Sequence, residues 1–134
     1  MKRLGILNSD IACILANLGH TDKIAIGDCG LPIPDDVVKI DLALKFGSPK
    51  FIEVLEEVLK DMKVEKVILA KEIKKNNPKV LEEIGLLINK NDIDKVEYVT
   101  HEEFKEKLYD VKAVIRTGEV TPYANIILQS NVIF

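Results

Sequence analysis

Arginine is nearly missing from this 134-residue sequence, where Arg3 and Arg116 are the only two and lysine supplies the rest of the nineteen basic residues. Twenty-two acidic residues outnumber them and leave a net charge of -3. A chain that neutralises a phosphate backbone needs the opposite balance, and bidentate readers of bases are mostly arginines, so nucleic acid is excluded as an expected partner. Cysteine is also scarce. Cys13 and Cys29 are too few for a disulfide framework and form no C-x-x-C pair, so they are expected to be small apolar residues in a reducing, cytoplasmic setting. Apolar runs stop at four or five residues, as at Val67 to Ala70, far short of the ~20 that cross a bilayer. Asn8, Ser9 and Asp10 interrupt the apolar stretch that a secretion signal would require, and no membrane partner is expected. The two histidines, His20 and His101, have no metal-ligating spacing, so no metal is expected. Phosphate-binding loops, dinucleotide fingerprints and nucleophile elbows are all lacking.

What is present is a core-forming composition: 47% hydrophobic residues with 31% charged, at a length suited to one domain spanning 1–134. Ile11, Ile14, Leu15 and Leu18 repeat at helical spacing after Asn8 or Ser9 as a cap. Lys23 to Gly27 and the Val37 to Leu42 region read as extended. Ser48-Pro49 is the expected cap and first residue of a helix carrying Phe51, Ile52, Leu55, Val58, Leu59 and Met62. Lys66 to Ala70 and Lys95 to Val99 read as strands on either side of a helix opened by Asn77-Pro78, and the lysine-rich Lys71 to Lys79 stretch reads as a solvated face. Thr100 and Glu103 suit a capping box, with strands expected at Ala113 to Thr117 and from Ile126 to Leu128. The alternation predicts an α/β fold: a three-layer α/β/α sandwich around a mostly parallel, mixed sheet, in which the final two strands, with no helix between them, are candidates for an antiparallel pair.

Three polar loops stand at the ends of these elements, where α/β domains gather ligands. One carries His20 after the first helix. Another begins at Asp28, where a glycine and two prolines restrict the loop; the carboxylate either faces a hydroxyl-rich ligand or shapes the loop as an Asx-turn. The third runs through Thr117 to Asn125, and its Tyr123 and Asn125 supply phenol and amide groups suited to orienting a polyhydroxylated molecule, or serve only as turn residues. His101 begins a helix directly after a strand.

The sequence Leu7-Asn8-Ser9-Asp10-Ile11, Gly19-His20-Thr21-Asp22, Asp28-Cys29-Gly30-Leu31-Pro32-Ile33-Pro34, Glu72-Ile73-Lys74, Thr100-His101-Glu102, Thr117-Gly118-Glu119 and Pro122-Tyr123-Ala124-Asn125 resembles the family of D-ribose pyranases and L-fucose mutarotases. The resemblance runs nearly end to end. Thr21 and Gly30-Leu31-Pro32 favour the ribose branch. It implies an isomerase that converts β-D-ribopyranose to β-D-ribofuranose, with His20 as proton donor and Asp28, His101, Tyr123, Ala124 and Asn125 as sugar-binding positions. It further implies a homodecamer of stacked pentameric rings and no cofactor. The alternatives are a mutarotase exchanging α and β anomers and a non-catalytic ribose-binding module.

The residue types agree with that chemistry. Opening and reclosing a sugar ring moves protons on and off oxygen, and a histidine can exchange them near neutral pH for about a 10²- to 10⁴-fold gain. Extended geometry adds a constraint: with Lys23 to Gly27 as a strand, His20 and Asp28 fall at its opposite ends, roughly 20 Å or more apart. A site shared between subunits is the expectation.

Overall fold

The computed structural model describes residues 1–134. Six strands, β1 (Lys23–Gly27), β2 (Val38–Asp41), β3 (Val64–Ala70), β4 (Lys95–Val99), β5 (Ala113–Arg116) and β6 (Ile126–Ser130), form one sheet in the order β2-β5-β1-β6-β3-β4. The β2–β5, β5–β1 and β3–β4 pairs are parallel, whereas β6 runs antiparallel to both β1 and β3. The helices are α1 (Ser9–Asn17), α2 (Phe51–Asp61), α3 (Ile73–Asn76), α4 (Pro78–Lys90) and α5 (His101–Lys107), the last running into a 3₁₀ turn at Leu108–Asp110.

Alternating side chains send one set of strand residues to each face. Ile24, Ile26, Val67, Leu69, Ile126 and Leu128 pack with Phe51, Leu55, Val58 and Ile84 from α2 and α4 in the larger core. Ala25, Ile68, Val114 and Ile127 meet Phe104, Leu108 and Leu31 in a smaller core on the other face. Each fully buried isoleucine or phenylalanine contributes about 1.5–3 kcal/mol of transfer free energy, so both faces must be covered, giving the three-layer sandwich. No helix is long and apolar enough to cross a membrane.

Local signals set most element ends. Asn8 Oδ1 accepts from the Asp10 and Ile11 N–H groups and starts α1. Thr100 and Glu103 form the reciprocal capping box of α5. Pro78 occupies the first turn of α4, where a missing N–H costs nothing. The Ser48-Pro49 expectation does not hold: their peptide bond is cis and α2 begins only at Phe51. The Ser48 carbonyl accepts from the Leu44 and Lys45 N–H groups and closes a turn, while Glu119 Oε2 accepts from the Phe51 N–H at 3.4 Å. A carboxylate 68 residues away thus takes the capping role. The Lys71 to Lys79 stretch keeps its lysines exposed but is not merely a solvated face, because it turns through α3 to bury Ile73 and Asn77. Cys13 lies exposed on α1 rather than packed as a small apolar residue.

Candidate active site

The parallel strands β1, β4 and β5 end at one edge of the sheet, and antiparallel β6 begins there. This topology gathers Asp28, His101 and the Thr117–Asn125 loop. The Asp28 N–H donates to Asn125 Oδ1 at 2.9 Å, and Asn125 Nδ2 donates back to Asp28 Oδ2 at 3.1 Å. Asp28 Oδ1 accepts from the Gly30 N–H at 2.9 Å, which is an Asx-turn. One carboxylate therefore shapes its loop and ties it to the start of β6. Arg116 Nε donates to the Cys29 carbonyl at 3.0 Å and its Nη1 to Asp41 Oδ2 at 2.9 Å, bracing the same loop against β2.

Burial pushes the Asp28 carboxyl above its ordinary value of 3.8, against the opposing pull of the Gly30 N–H, the Asn125 amide and the nearby His101. A raised folded value favours the protonated form of the native state. Asp28 therefore contributes stability that is complete below pH 3.8 and is lost as pH rises through its higher folded value. Thermal melts of the parent and Asp28→Asn proteins at acid and neutral pH are expected to show this slope in the parent alone, so any stability advantage of the parent narrows, or its deficit widens, toward neutrality.

His101 opens α5 with its backbone N–H donating to Glu72 Oε1 at 3.1 Å. Its ring meets Tyr123 edge-on at 5.1 Å between centroids and lies parallel to Phe104 at 6.5 Å. Two buried polar atoms here, His101 Nδ1 and Glu72 Oε2, have no partner within the chain. Such atoms are costly unless a ligand completes them, and both suit hydroxyl groups. Tyr123 adopts a left-handed backbone with φ of +57°, held by Asn77 Nδ2 donating to the Pro122 carbonyl at 2.9 Å and by the Asn125 N–H donating to the Tyr123 carbonyl at 2.9 Å. Ala124 packs fully buried in the larger core and anchors the segment.

Three participants lacked any signal that assigned them a role. Glu119 Oε1 accepts from the Val120 and Thr121 N–H groups and the Thr121 hydroxyl at 3.0–3.1 Å, folding the loop around a buried carboxylate. Glu72 and Asn77 act across 29 and 45 residues respectively, so neighbouring sequence does not reveal their partners.

His20 stands elsewhere. It occupies a turn in which the Asp22 N–H donates to the Gly19 carbonyl and Thr21 takes a φ of +70°. That turn precedes β1, whereas Asp28 follows it, so about 17 Å of strand separates them. His20 Nε2 lies 3.2 Å from Glu65 Oε2, at the edge of the sheet opposite Asp28. The structure brings Asp28, His101, Tyr123 and Asn125 together and leaves His20 apart. A cleft of about 350 Å³ beside Leu31, Ile33 and Arg116, and another of about 310 Å³ beside Cys29, Phe46 and Arg116, flank the Asp28 loop without reaching His101 or His20.

Residues 1–133 match the family model described as the RbsD / FucU transport protein family. The chain belongs to that family. Among its curated relatives, a D-ribose pyranase of Bacillus cytotoxicus is 58% identical over 134 residues, covering all of both chains. Another D-ribose pyranase, from Bacillus cereus, is 56% identical over the same full length. The solved structure of Bacillus subtilis RbsD complexed with D-ribose matches with a TM-score of 0.95 and 54% identity, again covering all of both chains. A fucose mutarotase from Streptococcus pneumoniae in complex with L-fucose shares the fold at a TM-score of 0.80, with 23% identity and 96% and 95% of the two chains covered. Within the family, this chain's fold is thus the fold of a ribose-bound member.

Proposed function

We propose that the chain is a D-ribose isomerase that interconverts β-D-ribopyranose and β-D-ribofuranose by the pyranase reaction, acting as one domain in the cytoplasm. The observation that carries this reading is the full-length 54% identity and 0.95 TM-score to an RbsD that holds D-ribose, joined to 56–58% identity with D-ribose pyranases. Sugar-facing groups are Asp28, His101, Tyr123 and Asn125, with Ala124 fixing the segment from within the core. Asp28 and the tyrosine hydroxyl offer acceptors and a donor to sugar hydroxyls, and the unpartnered Nδ1 of His101 adds one more.

The reaction needs no net proton. In ring opening the O1 hydroxyl gives up its proton, the C1–O5 bond breaks and O5 takes a proton, leaving the open-chain aldehyde. In reclosure the O4 hydroxyl attacks C1 and loses its proton while O1 regains one. His20 is the group assigned to carry a proton to and from the ring oxygen. Because it lies across the sheet from Asp28, the site is completed by a neighbouring copy. Heterologous contacts repeated around a ring supply such a pairing at every subunit, in keeping with the pentameric rings of a homodecamer.

The test is saturation-transfer NMR on ribose with purified protein. Exchange between pyranose and furanose signals, accelerated in proportion to protein, is the expected result. Exchange confined to the α and β anomers of one ring size would make the chain a mutarotase, and binding without acceleration would remove the catalytic assignment.

A further inference from the structure

The surroundings of His20 are built rather than incidental. β3 and β6 pair Val64 with Ser130 and Lys66 with Gln129, so two consecutive residues of β6 face three of β3 and Glu65 is the extra one. A bulge at a sheet end redirects the side chain of its extra residue. Here the redirected carboxylate is claimed at both oxygens: Gln129 Nε2 donates to Oε1 at 2.5 Å, and His20 Nε2 stands 3.2 Å from Oε2. Glu65 keeps 17% of its side-chain surface exposed while His20 keeps 51%, so the carboxylate is sheltered beneath an imidazole that faces outward. The Gln129 amide first and His20 second hold the Glu65 carboxyl below its ordinary value of 4.5, so it is ionised at neutral pH and can only accept.

We infer that Glu65 is a positioning residue for His20: it takes the Nε2–H, fixes the ring in one orientation and leaves Nδ1 as the atom that exchanges protons with the sugar bound to the adjacent copy. The inference rests on the acid/base assignment of His20 above. A carboxylate partner determines which imidazole nitrogen carries the proton, as in other histidine sites where the second nitrogen does the chemistry. Gln129 completes the chain by holding the carboxylate itself, and it does so from the same β6 that presents Asn125 at its other end. Neither residue touches sugar in this arrangement. Their effect is on the rate of proton exchange.

The experiment measures the ring-exchange rate against ribose concentration for the assembled parent protein and for Glu65→Leu, Glu65→Gln, Gln129→Leu and His20→Ala. Glu65→Leu is expected to lower kcat about 10- to 100-fold with KM within about twofold. Glu65→Gln keeps an acceptor for Nε2–H but not the charge, and is expected to recover part of the loss. Gln129→Leu is expected to lower kcat by roughly three- to tenfold, and this variant and Glu65→Gln carry the test if Glu65→Leu fails to assemble. Parent-like kcat in the Glu65 variants alongside an inactive His20→Ala protein overturns the inference and leaves the pyranase reading standing. So does a rise in KM that accounts for the whole defect with no rescue by glutamine. A His20→Ala protein as fast as the parent removes the assignment of His20 and this inference with it.

Discussion

His20→Ala and Asp28→Ala proteins, each close to the uncatalysed exchange rate on its own, are expected to recover roughly a quarter of the parent activity when denatured together in equal amounts and reassembled. The fraction follows from the separation of the two side chains by the length of β1. In a mixed ring, half the subunits carry a native His20 and the other half a native Asp28. A site that takes one residue from each of two copies therefore finds both intact about one time in four. The size of the underlying loss sets the sensitivity: removing the general acid costs about 10²- to 10⁴-fold, and removing the Asp28 carboxylate takes away the acceptor of the Gly30 and Asn125 groups that shape the sugar-facing loop, so a quarter of the parent rate is expected to stand far above either starting protein. The readout is the same NMR exchange rate, normalised to assembled protein. If reassembled mixtures stay at the level of the single variants, the two residues do not meet across a subunit contact and the shared site is wrong.

The second large effect is on stability. A Cβ added at Gly118 would lie 2.2 Å from the Ser48 carbonyl oxygen and 2.5–2.6 Å from the Ser48 carbonyl carbon and amide nitrogen. These are backbone atoms that cannot swing away. The Gly118 N–H donates to the Pro49 carbonyl and its own carbonyl accepts from the Gly47 N–H, so the two loops are clamped face to face. Gly118→Ala must break this clamp or displace the turn before α2, and a cost of about 3 kcal/mol or more is expected. In a domain of this size that corresponds to a fall in Tm of about 10 °C. Gly85→Ala is the control, since nothing lies within 4 Å of a Cβ there and α4 is a regular helix. It is expected to be neutral or to stabilise by up to about 1 kcal/mol. Equal melting of the two variants would mean that the 45–49 turn yields without cost.

The parts of this molecule legible in its sequence are those written locally. Asn8, Pro78 and the Thr100/Glu103 pair announce their helices because capping acts over two to four residues. Ile24 and Ile26 announce β1 for the same reason, and from its length alone the distance between His20 and Asp28 follows. The strand order does not, because nothing in Ile126–Ser130 states that it lies between β1 and β3. The start of α2 misled because a Ser-Pro pair looks like a cap until Glu119 is known to stand beside Phe51. The carboxylates of Glu65, Glu72 and Glu119 fall in the same class: each works through a partner brought near only by the completed fold, and each looks like ordinary surface charge in the sequence.

The position of β6 carries one more consequence. It is the only strand joining the β2-β5-β1 half of the sheet to the β3-β4 half, and it does so from residues 126–130. During synthesis β3 and β4 are available to pair before β5 arrives at residues 113–116 to join β1 with β2, and neither half can zip to the other until the β6 segment leaves the ribosome. The same late arrival installs Asn125 beside Asp28 and Gln129 beneath the histidine partner. A nascent polypeptide is therefore without a functioning centre until its sheet has closed.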